Sequence, residues 1–172
     1  GEGKAKVTLV EYGDYQCPYC GAFHPIVKEV VEKYKDQITF QFRNLPLIQI
    51  HTHAMAAARA AEAASMQNKF WEMHNMLYEG QNTWSTASNP ASLFEGYAKQ
   101  IGLDVAKFKK DAASSTTNDI VNADVREFNK LKLEVSTPTF LLDGKKVTPT
   151  YTVEAFSKLI DDAIAAKQKE QQ

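Results

Sequence analysis

The chain has 172 residues, of which 44% are hydrophobic and 24% charged, and 20 Lys and Arg stand against 21 Asp and Glu for a formal net charge of -1. That length suits one domain with a full core, or a small domain carrying a large insertion, and the composition excludes a disordered or fibrous chain. The balanced charge offers no basic field for nucleic acid, and no apolar stretch approaches the roughly 20 residues that cross a bilayer.

The chain opens on "GEGKAK", which lacks the apolar core of a signal peptide. Its Gly-Glu-Gly reads as an added remnant or as the stub of a removed export signal or anchor. "KVTLVEYGD" follows as a β-rich run, and then "CPYCGAFHPIVKEVVEKYKD", where Phe23, Ile26, Val27, Val30, Val31 and Tyr34 fall at helical spacing. "ITFQFRNLPL" is rich in β-branched and aromatic residues and predicts a second strand. Strand, helix and strand in succession predict a right-handed crossover and a parallel pair.

From about His51 to Leu133 the pattern is helical. "HAMAAARAAEAASMQ" is built on the strongest helix former, "FWEMHNMLYEG" ends in a glycine suited to a helix C-terminus, and Asp104 is placed to cap "VAKFKKDAAS". "NDIVNADVREFNKLKL" has a further period near 3.6, and the polar "QNTWSTASNP" reads as a loop between helices. The β pattern returns in "PTFLL", turns at Asp143 and Gly144, and resumes in "KKVT". Thr152 is placed to cap a last helix, "VEAFSKLIDDAIAAK", ahead of a polar tail expected to fray. The order predicts an α/β fold in which residues 1–50 and 134–172 form one discontinuous domain and residues 51–133 an inserted helical one.

Cys17 and Cys20, in "CPYC", are the chain's two cysteines. Pro18 fits the first position of the predicted helix, where its missing N–H is no loss. Free backbone amides and the helix dipole there favour a thiolate at Cys17. Cys17 is thus expected to be the exposed nucleophile and Cys20 the buried resolving thiol. A metal reading would join them to His24 and to one of His51, His53 or His74, although no second pair at ligand spacing completes the set. A permanent structural disulfide in a binding domain is the other alternative; so short a loop restricts the unfolded chain little. Pro25, inside the helix, is expected to bend it just after the motif. Tyr15, Tyr19, Trp71 and Trp84 read as core or as an apolar groove for unfolded peptide.

The CxxC after the first strand, with "STPTF" opening the third, resembles the thioredoxin superfamily. "FRNLPL", "HTHAMAAARAAEAA" and "KFWEMHNMLY" are similar to the insertion of its DsbA-like thiol:disulfide oxidoreductases. The resemblance implies a thioredoxin-like fold (βαβ…ββα) with a helical insertion between the second and third strands. It implies Cys17 and Cys20 as catalytic residues tuned by Pro18, Tyr19 and a buried Glu11. Glu11 would exchange a proton with Cys20, with Gln41 or Arg43 standing where several relatives carry a lysine. Thr137 and Pro138 would bind substrate, and the resemblance makes Pro138 cis although only about 5 to 6% of X-Pro bonds are. The expected activity is donation of the Cys17–Cys20 disulfide to reduced exported polypeptides by a monomer of the periplasm or cell envelope. It needs no metal and no cofactor beyond the redox-active disulfide, and a membrane quinone-linked thiol oxidase would reoxidise it. Relatives often carry Pro-His inside the motif; Pro-Tyr here, as in glutaredoxins, keeps a reductase or isomerase as the alternative direction.

Overall fold

A computed structural model describes residues 6–172, so the Gly-Glu-Gly start lies outside the described residues. Strands β1 (Val7–Gly13), β2 (Ile38–Asn44), β3 (Thr139–Leu142) and β4 (Lys145–Val147) form one sheet in the order β2-β1-β3-β4. β1 and β2 run parallel, joined by helix α1 (Pro18–Lys33), while β3 is antiparallel to both β1 and β4. The β3–β4 turn is Asp143 at φ 47° and Gly144 at φ 84°, the left-handed pair that matches the twist of a two-residue hairpin. β4 is a three-residue edge strand with Lys145 and Lys146 exposed.

Alternation along β1 divides the core between two faces. Val7 and Leu9 pack with Phe140 and Leu142, with Phe23, Val27 and Val30 of α1, and with Phe156 and Ile160 of the last helix, α8 (Val153–Glu170). Tyr12 and Leu141 face the other way, toward Leu45 and Phe128. Thr152 caps α8 by accepting the Ala155 N–H at 3.1 Å. The helix runs to Glu170, through the tail expected to fray. Lys167 anchors that end, bonding the Lys6 carbonyl at 3.1 Å and lying 3.2 Å from the Asp143 carboxylate.

Between β2 and β3 stand α2 (Ala54–Ser65), α3 (Phe70–Glu79), α4 (Gln81–Trp84), α5 (Ala91–Gln100), α6 (Val105–Ala112) and α7 (Ser115–Lys130). The alanine face of α2 is buried, and its small side chains let α3, α5, α6 and α7 close around it. Asp104 caps α6 as expected; Ser114 caps α7 earlier than the period alone marked. The segment expected to be a loop contains α4, because Trp84 is fully buried and donates its indole N–H to the Leu77 carbonyl at 2.7 Å. Asn44, at the end of β2, donates its N–H and its side-chain amide to Asp124 of α7 at 3.0 and 2.9 Å, and the same amide reaches Glu62 of α2 at 2.9 Å. The helical block is thereby bonded to the sheet beside the end of β1.

Candidate active site

After Gly13 the chain turns through Asp14, Tyr15 and Gln16 and delivers Cys17 to the N-cap of α1, with Pro18 at the helix start. Asp14 builds this turn. Its buried carboxylate accepts the Gln16 N–H at 2.7 Å, the Leu47 N–H at 2.8 Å and a bond from His51 Nδ1 at 2.7 Å. Its own N–H meets Cys20 Sγ at 3.5 Å. The carboxylate thus ties the turn after β1 to the segment after β2 and aims an amide at a sulfur. From the helical block, Gln81 donates its side-chain amide to the carbonyls of Tyr15 at 2.7 Å and Cys17 at 2.9 Å.

Both cysteines are free thiols. Cys20 is fully buried, and Cys17, expected to be exposed, is only 4% exposed. The reason is its place in the core that the insertion forms with Tyr15, and against the segment before β3, where the Cys17 thiol donates to the Thr137 carbonyl at 3.6 Å. The Thr137–Pro138 peptide bond is cis, and Pro138 stands just before β3. Tyr19 is 64% exposed at the mouth of the motif, while Tyr151 stacks on Phe23 with ring centres 4.3 Å apart. Trp71 is also partly exposed; Tyr15 and Trp84 are core.

The electrostatics separate the two thiols. Cys17 is lowered from 9.0 to about 6, first by the hydrogen bond from the Cys20 thiol, against the opposing effect of burial; the Thr137 side chain and then the backbone amides of Cys20 and Tyr19 add to the lowering. The sequence argument put those amides first, whereas the neighbouring thiol dominates. Thr137 Oγ1 is buried without a hydrogen-bond partner. The Thr137 carbonyl accepts from the thiol, and its unpartnered hydroxyl is free to donate to the thiolate. Cys20 is raised well above 9.0, chiefly by burial.

Glu11 is 2% exposed on β1, and burial first, then the negative charge of Cys17, raises its carboxyl from 4.5 to about 8. Its cross-strand neighbours are Phe42 and Phe140. Gln41 and Arg43 pair instead with Val10 and Tyr12, and period-2 alternation turns them to the opposite face, where Arg43 lies 3.5 Å from Asp124. Neither takes the lysine's place beside Glu11.

Three of the four histidines of the metal reading are engaged elsewhere. His51 holds Asp14, and His53 Nε2 bonds the Ala87 carbonyl at 2.8 Å. His74 is buried, and burial lowers it to about 3; as a neutral ring it shares a hydrogen bond between its Nδ1 and the Tyr15 hydroxyl at 2.8 Å. Among the described residues no three His, Cys, Asp or Glu are arranged to hold a metal ion. α1 passes through Pro25 without a break. Sequence reasoning missed Asp14, His51 and Gln81. An acid in the turn before a CxxC was a visible signal for the first; the others touch the motif only through the fold.

A dithiol at the head of the first helix, beside a cis-proline at the start of the strand next to β1, defines the class of thioredoxin-fold CxxC proteins. A family model described as Thioredoxin matches residues 1–162. The chain belongs to the thioredoxin family. Among solved structures it is similar to oxidised BdbD from Bacillus subtilis (TM-score 0.81, 24% identity, 96% of this chain and 91% of that one). It is also similar to Wolbachia pipientis alpha-DsbA1 (TM-score 0.80, 21% identity, 100% and 92%). A third is MdbA, a thiol-disulfide oxidoreductase from Corynebacterium diphtheriae (TM-score 0.75, 19% identity, 93% and 84%). At these identities the shared feature is the fold. Among curated proteins, the Na(+)/H(+) antiporter NhaA 1 of Salinispora arenicola (strain CNS-205) is 37% identical over 170 residues, which cover 96% of this chain and 24% of that protein. The chain thus spans about a quarter of the length of the curated relatives it matches. Among the described residues no helix is long and apolar enough to cross a membrane.

Proposed function

We propose that the chain is a DsbA-like protein thiol:disulfide oxidase that donates its Cys17–Cys20 disulfide to reduced exported polypeptides and so supports oxidative folding outside the cytoplasm. The observation that carries this reading is the split between the thiols, Cys17 at about 6 and Cys20 well above 9.0. At neutral pH Cys17 in the reduced protein is mainly thiolate, which stabilises the reduced form and makes Cys17 a good leaving group.

A substrate thiolate attacks Cys17 Sγ of the disulfide; the S–S bond breaks and Cys20 leaves, taking a proton. Glu11, protonated up to about pH 8, is the group proposed to supply it, which suits a leaving thiolate whose proton affinity is high. A second substrate thiolate attacks the substrate sulfur of the mixed disulfide and expels Cys17 as thiolate. The substrate has lost two electrons and the protein holds them as a dithiol. By resemblance, a membrane quinone-linked thiol oxidase accepts them, and the protein acts as a monomer. Thr137 and Pro138 are the proposed substrate-docking residues, with strand-like backbone pairing to an extended segment beside Cys17. Transport is not proposed for this segment, whose chemistry is that of its thiols.

Equilibration in graded reduced and oxidised glutathione, with the disulfide quantified by mass after alkylation, tests the direction. A potential near about -120 mV supports an oxidase, whereas one near about -270 mV makes the protein a reductase. A pair that never responds returns the site to a structural disulfide. The reductase reading has one observation in its favour: Tyr19, where a histidine would bring positive charge, brings none.

A further inference from the structure

On the side of α1 away from Phe23, α1 and α3 enclose a groove of about 980 Å³, at the upper end of the range for small-molecule sites. Val31 of α1, Phe40 of β2 and Trp71 of α3 give it an apolar wall. Trp71 is 44% exposed although its ring lies 5.4 Å from Phe40 and 5.2 Å from His74. An indole held in place by two rings and left partly bare suits contact with a cation.

Carboxylates outnumber ammonium groups along the groove. His24 is more than nine-tenths buried and its Nε2 has no hydrogen-bond partner. Burial lowers the ring's affinity for a proton, and a neutral ring in its Nδ1–H form presents a lone pair at Nε2. Pro25 has no N–H, which denies the Gly21 carbonyl its regular helical donor, and both residues line the groove. Glu29, Glu32 and Glu79 stand at the edge against a single ammonium, Lys28. Glu79 Oε1 lies 3.8 Å from His24 Nε2 and 3.1 Å from Lys28 Nζ. Lys28 and Glu79 are each more than half exposed, so their pair is weak and easily displaced.

We propose that this groove binds a lipophilic organic ammonium. The apolar body lies against Trp71 and Phe40, and the amine takes the place of Lys28 at Glu79 while donating to His24 Nε2 and the Gly21 carbonyl. An ammonium has three donors and no acceptor, which matches a set of three acceptors. The site is independent of the redox reading, since it uses neither thiol.

Trp71 reports occupancy, because the other tryptophan, Trp84, is fully buried. The protein is titrated with phenethylammonium at fixed ionic strength, with 2-phenylethanol and 3-phenylpropionate as neutral and anionic probes of the same size. Saturable emission change is expected with the ammonium at a Kd on the order of 1 mM, the range open to so small a ligand. The alcohol should bind about ten-fold more weakly and the carboxylate should not saturate. Glu79→Gln should weaken ammonium binding roughly three-fold, and Lys28→Gln, which removes the internal competitor, should tighten it by a similar factor. Both positions are exposed, so neither variant threatens folding. The proposal is overturned if the three probes titrate alike, if the ammonium gives no saturable change, if the signal persists in Trp71→Phe, or if the two charge variants fail to move the Kd in opposite directions.

Discussion

Glu11→Gln is the substitution whose effect can be worked most directly from the structure. The Glu11 carboxyl rises from 4.5 to about 8, mainly through burial. Between those values the native state keeps a proton that the unfolded chain has released, so stability falls as pH rises. The slope is about 1.4 kcal/mol per pH unit, and the whole span comes to about 5 kcal/mol, an upper bound in a site that relaxes. The stability is fully present below pH 4.5 and lost as pH climbs through about 8. Glutamine has the same shape and no titration. The gap in unfolding free energy between Glu11→Gln and the parent should therefore widen from pH 5 to pH 8.5 and stay flat above it. Guanidinium unfolding of both proteins in the disulfide form is the measurement, since neither cysteine titrates there. Loss of the Cys17 charge removes only the smaller cause, so most of the widening should remain. Parallel pH profiles, differing by less than about 1 kcal/mol across that range, would refute the argument that burial keeps this carboxyl protonated.

Thiolate absorbance of the reduced protein should titrate with a midpoint near 6, and rapid alkylation at pH 7 should mark Cys17 and spare Cys20. Cys20→Ala should raise that midpoint more than Thr137→Val does, because the Cys20 hydrogen bond is the larger influence; the reverse order in the same titration would contradict the geometry. Asp14→Ala should lose about 3 kcal/mol in chemical denaturation, since it leaves His51 and two backbone amides without their shared acceptor. Gln81→Ala should lose about 1 to 2 kcal/mol, and faster hydrogen exchange around the Cys17 turn should accompany it.

What could be read locally was read from the chain. β1 and β2 declare themselves by β-branched residues, the Asp143–Gly144 turn by its need for positive φ, and the starts of α6 and α8 by Asp104 and Thr152. Each signal lies within a few residues of what it specifies. The thiol pair was also visible, as was an acid on β1 with a wholly apolar neighbourhood. The burial of Cys17 was not, because the atoms that cover it come from residues far along the chain. Gln81 lies 64 positions from the carbonyl it holds and Thr137 lies 120 from the sulfur it faces. A glutamine in a polar stretch carries no mark of such a partner, and the short α4 exists only because Trp84 has a core to enter. Arg43 failed as a partner for Glu11 for a simpler reason, the two-residue period, which the strand pattern itself contained.

The β4 edge of the sheet bears on the risk of misassembly. A protein proposed to handle unfolded polypeptides is surrounded by extended segments that would extend any sheet offering an open row of amides and carbonyls. β4 offers three residues and two exposed lysines, Lys145 and Lys146. So short and charged an edge is a poor template for a visiting strand. Lengthening β4 or replacing its lysines with valine would leave the thiols untouched and give an extended polypeptide an edge on which to pair.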